Sequence, residues 1–240
     1  MGRRNMSAVS DSIQPRPIRT VCWALLAPFA YQGIAVLCLR QWRSATPWVD
    51  LDLFSGGFFA LTAILLIYEI PFRRNIFHSR ESLREASGLS YDRDAVKWGS
   101  IIAVVDLSVF LDYGHWHLLP VLRVPALQAT GLAVYACAMA TTMWADTWLT
   151  RHFQGHSHAR QLMTAGPFGI VRHPRYAGQL IAKLGASLIF ASVFAWISLL
   201  ASIILVRRRI RLEEDHLKDI FGSSYDTYAQ TTDRLFPGVY

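Results

Sequence analysis

Four long apolar runs constrain this chain more than any other feature it carries. Val21 to Leu39, Leu51 to Ile70, Trp98 to Tyr113 and Val124 to Leu149 are almost free of charge. Runs of about 18 residues or more are candidate membrane spans; the third run is shorter but of the same kind. Pro71 is expected to stop the second. The first run follows a polar arm without a small-residue cleavage site, so it reads as a retained span rather than a signal peptide. Composition agrees: 52% of residues are hydrophobic and 17% charged, against about 25% charged in a typical soluble chain. Such a chain has too little polar surface to cover a soluble core. The formal charge of +7 fits cations gathered near anionic head groups. The cations form no continuous binding stripe, so nucleic acid is not an expected partner. Disorder, collagen and a disulfide scaffold are excluded by the same composition. Cys22, Cys38 and Cys137 lie within apolar runs and read as small buried hydrophobes.

Lys and Arg in the connecting segments orient the spans. With the N-terminus in the cytoplasm, 20 of the 24 cations fall on the cytoplasmic side. Only Arg40, Arg43 and Arg123 fall outside, and Lys183 lies in a later apolar run. That run, Ala177 to Val206, has basic residues at both flanks, so both its ends are expected in the cytoplasm. Thirty residues fold back into two arms of about 20 Å, short of a full crossing of about 30 Å. A helical hairpin turning near Ala191 and Ser192 is therefore expected. Its second arm is expected to continue as a cytoplasmic helix through Arg207 to Phe221, ended by Gly222.

The expected fold is thus all-α and polytopic: four transmembrane helices, a C-terminal helical hairpin and a cytoplasmic helix. Residues 1–20 form a cytoplasmic arm, 21–149 the four-span region, and 150–240 the region with chemical groups. The hairpin brings together the two polar segments that flank it. In the first, Gly166-Pro167 predicts a turn, and Pro174 disfavours helix at His173 and favours a helix start just after it. In the second, Arg209 and Glu213 lie four apart on one helix face.

These segments carry a recognisable order of motifs: Gly166-Pro167-Phe168, then Arg172-His173-Pro174-x-Tyr176-x-Gly178, an apolar hairpin, Arg209-x-x-x-Glu213-Glu214, and Phe221-Gly222-x-x-Tyr225. That order resembles the isoprenylcysteine carboxyl methyltransferase family, related to phospholipid N-methyltransferase-like integral membrane methyltransferases. The resemblance covers residues 160–237; the first four spans carry no matching motif. It implies S-adenosylmethionine as methyl donor in a cytoplasm-facing pocket. By the same resemblance, Arg160, Leu162, Met163 and Phe168 line the donor, and His173, Pro174, Arg175 and Tyr176 clasp it. Glu213 binds its charged or hydroxyl groups, Arg209 faces the methyl acceptor, and Arg172 and Glu214 support the site. Arg160 stands where the family usually has His, Phe168 where it usually has Tyr, and Arg175 is a bulky cation at a variable position.

In-line methyl transfer needs positioning more than it needs an acid or base. A carboxylate acceptor is ionised at neutral pH and needs a cation such as Arg209 to place it. An amine acceptor must first lose a proton, with Glu214 or Asp215 as candidate bases. The leading reading is carboxyl O-methylation of a prenylcysteine-like acceptor that reaches the site from the lipid bilayer. Phospholipid-amine N-methylation and small-thiol S-methylation are alternatives. A membrane oxidoreductase of sterol-reductase-like architecture and a non-catalytic module are rivals of other classes. His152, His156 and His158 form the most metal-like cluster, but the remaining histidines are scattered, so they read as an interfacial loop and no metal is expected. Asp106, Asp146, Glu69 and Lys183 are charges in or near spans, where paired structural roles compete with function. Trp23, Trp48 and Trp148 read as interface anchors.

Overall fold

A computed structural model describes residues 18–39, 52–87, 93–155 and 162–238, and the described residues contain no strand, only an isolated bridge between Val171 and Asp233. Among the described residues seven α-helices follow one another: α1 (Ile18–Leu39), α2 (Leu53–Ser87), α3 (Arg93–Leu111), α4 (Pro125–Gly155), α5 (Pro174–Phe190), α6 (Val193–Phe221) and α7 (Ser223–Thr231). Asp52 caps α2 by accepting hydrogen bonds from the N–H groups of Phe54 and Ser55, at 2.9 and 2.8 Å.

The polar N-terminal arm expected over residues 1–20 lies almost wholly outside the described residues. Two of the four expected spans, Leu53–Ile70 and Pro125–Arg151, are long and apolar enough to cross a membrane. In α1 the apolar stretch among the described residues is Ala27–Leu39.

The hairpin turns where the sequence placed it. Ala191 takes a left-handed conformation, φ 45°, and its N–H reaches the Ser187 carbonyl at 3.0 Å. Ser192 then caps α6, its hydroxyl accepting from the Phe194 N–H at 3.2 Å. The arms are unequal. The 17 residues of α5 span about 25 Å, and the 29 of α6 about 43 Å. Only α6 continues into the charged tail, ending at Gly222 with φ 53°.

Two expectations are corrected. Pro71 does not stop α2, which runs on to Ser87. The residues beyond it, including Arg73, Arg74, Glu81, Leu83 and Glu85, are mostly good helix formers, so the proline costs a backbone hydrogen bond without ending the helix. The cysteines are not all buried: Cys137 is exposed and Cys38 half-buried. An apolar helix in a thin bundle has an outer face, and a hydrophobe there needs no protein cover.

The core lies where α2, α3, α4 and α5 meet. Phe58, Phe59, Phe110, Tyr113, Tyr135 and Phe190 form a connected aromatic cluster, with ring centroids 4.6–6.2 Å apart. Helix α5 lies tightly along α4 because glycines let the backbones approach. A Cβ at Gly185 would sit 2.8 Å from the Gly131 carbonyl oxygen, and one at Gly131 would sit 2.8 Å from the Gly185 carbonyl oxygen. Small residues facing one another are the usual means of close helix contact in apolar surroundings. This contact holds α5 against α4 and so helps to position the polar segment before it.

Because those neighbours are backbone atoms, Gly185→Val should force α4 and α5 apart. Overpacking typically costs about 1–3 kcal/mol. The thermal midpoint of the purified protein should fall by several degrees, whereas Leu184→Val on the more open face of α5 should move it little.

Candidate functional site

Helices α5 and α6 leave the hairpin together, and their polar ends meet the segment 162–173 and the C-terminal strip 232–235. Gly166 begins the turn with φ 61° and packs against Trp148 of α4 so closely that a Cβ would lie 2.5 Å from its ring. Only glycine suits both the left-handed backbone and the contact. Trp148, read from sequence as an interface anchor, thus seats this turn. From there Gly166–Gly169 makes one 3₁₀ turn, and the Phe168 carbonyl accepts from the Tyr228 hydroxyl of α7 at 2.5 Å. Burial raises the Tyr228 hydroxyl to about 12, so it donates throughout the ordinary pH range.

His173 is non-helical, φ −126° and ψ 60°, as Pro174 requires, and α5 starts at Pro174 with no side chain capping it. The N–H groups of Arg172 and His173 donate to the carbonyls of Asp233 and Arg234, at 2.7 and 2.9 Å. The C-terminal strip is therefore laced to the segment before α5.

Glu214 on α6 is the hub. Its carboxylate accepts from Arg172 Nε at 3.0 Å and from Arg234 Nε at 2.9 Å, and His173 Nε2 lies 3.3 Å away. Arg172 also donates to the Ala229 carbonyl at 2.8 Å and to the Thr232 carbonyl. One buried carboxylate thus gathers α6, the pre-α5 segment and the C-terminal strip. Burial alone would raise its pKa. Hydrogen bonds from His173, Arg234 and Arg172, with the charge of Arg172, outweigh this and hold it at about 2.

Glu213, one residue earlier, is more open, its side chain 33% exposed. It accepts from the Tyr176 hydroxyl at 2.6 Å and from Arg209 Nε at 3.2 Å, and His173 Nδ1 lies 4.0 Å away. Burial and the neighbouring Glu213 charge raise the Tyr176 pKa, so its proton stays on oxygen. Burial works against the charge on Arg209, but Tyr176 and Glu213 overcome it and raise its pKa. Arg209, Tyr176 and Glu213 make a partly open cluster with a carboxylate, a hydroxyl and a fixed cation.

Of the residues singled out in the sequence, Arg172, His173, Tyr176, Arg209, Glu213 and Glu214 converge here. Leu162 and Met163 lie half-buried on the approach to the Gly166–Gly169 turn, Phe168 sits within that turn, and Pro174 is buried. Arg175 engages elsewhere: its guanidinium lies 3.0 Å from Asp146 on α4 and 3.9 Å from Glu69 on α2. Arg160, with His156 and His158, lies outside the described residues, as does the His152 side chain. No group of three or more His, Cys, Asp or Glu with metal-binding geometry occurs among the described residues. Arg234, Asp233 and Tyr228 were missed. Arg234 registered only as one more cytoplasmic cation, and two of these contacts run through backbone carbonyls that no side-chain pattern marks.

Comparison with known proteins follows the same segments. Residues 121–224 match the model of the phospholipid methyltransferase family. The chain is similar to protein-S-isoprenylcysteine O-methyltransferase B of Arabidopsis thaliana, 39% identical over 83 residues, covering 33% of this chain and 41% of that protein. It is 28% identical over 137 residues to protein-S-isoprenylcysteine O-methyltransferase of Dictyostelium discoideum, covering 52% and 55%. It is also 22% identical over 140 residues to nickel-cobalt-cadmium resistance protein NccN of Alcaligenes xylosoxydans xylosoxydans, covering 58% and 62%. The chain thus spans less than two thirds of each of these relatives. The resemblance to isoprenylcysteine methyltransferases, related to the phospholipid methyltransferases, holds over the region that carries the site.

Removing the hub takes from Arg172 and Arg234 the buried carboxylate that both engage. Glu214→Ala should therefore destabilise the folded protein by about 3–5 kcal/mol, the usual cost of breaking a buried ion pair from one side. The pH dependence has a definite sign. The carboxyl is held at about 2 against an ordinary 4.5, so its stabilisation is complete above the ordinary value. It is lost as pH falls from there through the folded value. Acid titration of unfolding in detergent should show this loss in the wild type and a flatter profile in Glu214→Ala.

Proposed function

We propose that this protein is an S-adenosylmethionine-dependent integral membrane methyltransferase acting on a lipophilic acceptor, with carboxyl O-methylation of a prenylcysteine-like molecule the leading chemistry. The observation that carries this reading is the Arg209–Tyr176–Glu213 cluster, placed at the polar mouth of the α5–α6 hairpin beside the uncapped start of α5. The outer faces support a bilayer: Ile64, Ile67, Val104, Leu200 and Ile204 are all more than half exposed. Apolar exposure on that scale calls for lipid or a partner. The positive-inside pattern then puts the N-terminus, the site and the C-terminus in the cytoplasm.

The residues present fit the donor. It carries a sulfonium, an ammonium, a carboxylate and ribose hydroxyls. Glu213 offers a partly open acid to the ammonium or the hydroxyls. The first-turn N–H groups of α5 offer the helix N-terminus that favours a carboxylate. Leu162, Met163 and Phe168 supply an apolar and thioether wall. Arg160, which lies outside the described residues, belongs to the same segment, and Pro174 fixes where α5 begins. Arg175 would serve through its backbone, its guanidinium being held by Asp146. Glu214 and Arg172 hold the site together rather than touch the donor.

When bound, the donor supplies an electrophilic methyl group whose sulfur leaves as a neutral thioether, taking the bonding electron pair. The chain's contribution is alignment. Arg209, held charged, places a carboxylate acceptor with an oxygen lone pair toward the methyl. Tyr176 and His173 restrain Glu213, so the polar wall is set before the acceptor arrives. A carboxylate acceptor releases no proton, so this chemistry needs no base. The phospholipid methyltransferase match over residues 121–224 favours a second reading, N-methylation of a lipid amine. The acceptor must then lose a proton, and Asp215, exposed on α6 one turn beyond Arg211, is a candidate base outside the Glu214 hub.

Saturable binding of labelled S-adenosylmethionine to the purified protein tests this directly. Glu213→Ala and Tyr176→Phe should each weaken it by about 10-fold or more, the scale of a lost hydrogen bond to a charged group. Arg209→Gln should instead raise the KM of a carboxylate acceptor about 10- to 100-fold, with a smaller change in donor affinity. Absence of donor binding by folded wild type, in detergent and in lipid, would overturn the reading.

A further inference from the structure

Below the polar mouth, helices α1 to α6 line a partly open cavity of about 460 Å³, within the range of a drug-sized or single-chain ligand. Most of its wall is apolar, including Phe58, Phe59 and Phe110. It reaches the site's own helices through Gln179 on α5 and Val206 on α6, less than one turn from Tyr176 and Arg209.

The wall is not uniformly apolar. Lys183 of α5 forms an ion pair with Asp106 of α3, and its ammonium also donates to the Ser198 hydroxyl of α6 at 3.0 Å. Ser198 in turn donates to Asp106 Oδ1 at 2.5 Å. Lys183 and Asp106 are not sealed, with 28% and 26% of their side chains exposed, and both line the cavity. Gln32 of α1, also in the wall, contributes an amide nitrogen that is shielded from solvent and has no hydrogen-bond partner among the described residues. Charges in an apolar span are costly, and an unsealed pair facing a pure hydrocarbon ligand would lose hydration without replacement. An unpartnered buried amide is costly for the same reason.

Resting on the methyltransferase reading, we infer that the cavity takes a lipophilic acceptor whose chain carries a second oxygen-bearing group, a hydroxyl or carbonyl. At the Lys183–Asp106–Ser198 node that group hydrogen-bonds to Lys183 or Asp106, which line the cavity and which the buried Ser198 holds in place, with Gln32 as a further donor. Helix rise sets the spacing. Lys183 is seven residues from Tyr176 and Ser198 eleven from Arg209, so the two polar groups of the ligand stand about 10–16 Å apart. A bare prenyl chain fills the cavity but leaves the node unmet. The node is thus a specificity element for oxygenated over plain chains.

The test compares N-acetyl-S-geranylcysteine with its analogue hydroxylated at the chain terminus, whose carboxylate and hydroxyl span that distance. Equilibrium binding of each is measured in lipid nanodiscs, with S-adenosylmethionine affinity recorded on the same samples. Wild type should prefer the hydroxylated chain by about 10-fold, the scale of one hydrogen bond. The ratio should fall to near one in a double variant, Lys183→Met with Asp106→Leu, which removes both charges together. Ser198→Ala keeps the ion pair and the fold, and should reduce the preference by a smaller factor. Equal affinity of the two chains in wild type, no binding of either, or a preference untouched by both variants would overturn the inference. Donor binding separates the two levels. If it persists while the preference is absent, only this inference fails; if it too is absent, the methyltransferase reading fails.

Discussion

A single carboxylate, Glu214, holds this site in register. It sits on the long arm of a helical hairpin and draws in Arg172 and His173 from before the short arm, and Arg234 from the chain's end. The segment between the turn at Gly166 and the start of α5 has no α-helix of its own, so this closure, with the Trp148 contact at Gly166, holds it in place. The ion pairs are mostly buried, so their geometry is expensive to disturb, and the acid is fully ionised near neutrality. Glu213, its neighbour in sequence, is left comparatively open beside Tyr176 and Arg209. Adjacent glutamates thus divide the work, one binding the protein to itself and one, on the proposed function, facing the donor.

The hairpin supplies the other half of the construction. Close contact of Gly131 and Gly185 fixes α5 against α4, and Ala191 with Ser192 reverses the chain inside the bundle. Both arms then deliver their polar ends to the same side. On the proposed function this arrangement suits a lipophilic acceptor, since it leaves polar chemistry at the mouth and an apolar space beneath. Arg175 ties the two levels together through Asp146 and Glu69, which belong to helices that wall the bundle.

Much of this was legible in the sequence, for definite reasons. Turn and cap residues act locally, so Gly166-Pro167, Pro174, Ala191-Ser192 and Gly222 each marked a boundary that the structure has. The Arg209–Glu213 pair was legible because helix periodicity brings positions four apart together. The continuation of α2 past Pro71 was not, because a proline signal is local while the helix is sustained from both sides. The exposed Cys137 was misread because an apolar span does not reveal which face meets lipid. Arg234 escaped because its partners are reached by a chain reversal with no periodic signature. The charges at Asp106, Asp146 and Lys183 stood out as anomalies, but which would pair with which depended on helix packing. The structure answers with Asp106 to Lys183 and Asp146 to Arg175.

On the proposed function, donor binding is shared between the segment before α5 and the charged end of α6. Ultraviolet photolabelling with S-adenosylmethionine tritiated at the methyl group, on protein in nanodiscs, reads this out when labelled peptides are mapped. Label should be confined to peptides from residues 162–178 and 209–214 and be competed away by S-adenosylhomocysteine. Label on the connection between α3 and α4, at the opposite end of the bundle, or labelling that the competitor leaves unchanged, would contradict it.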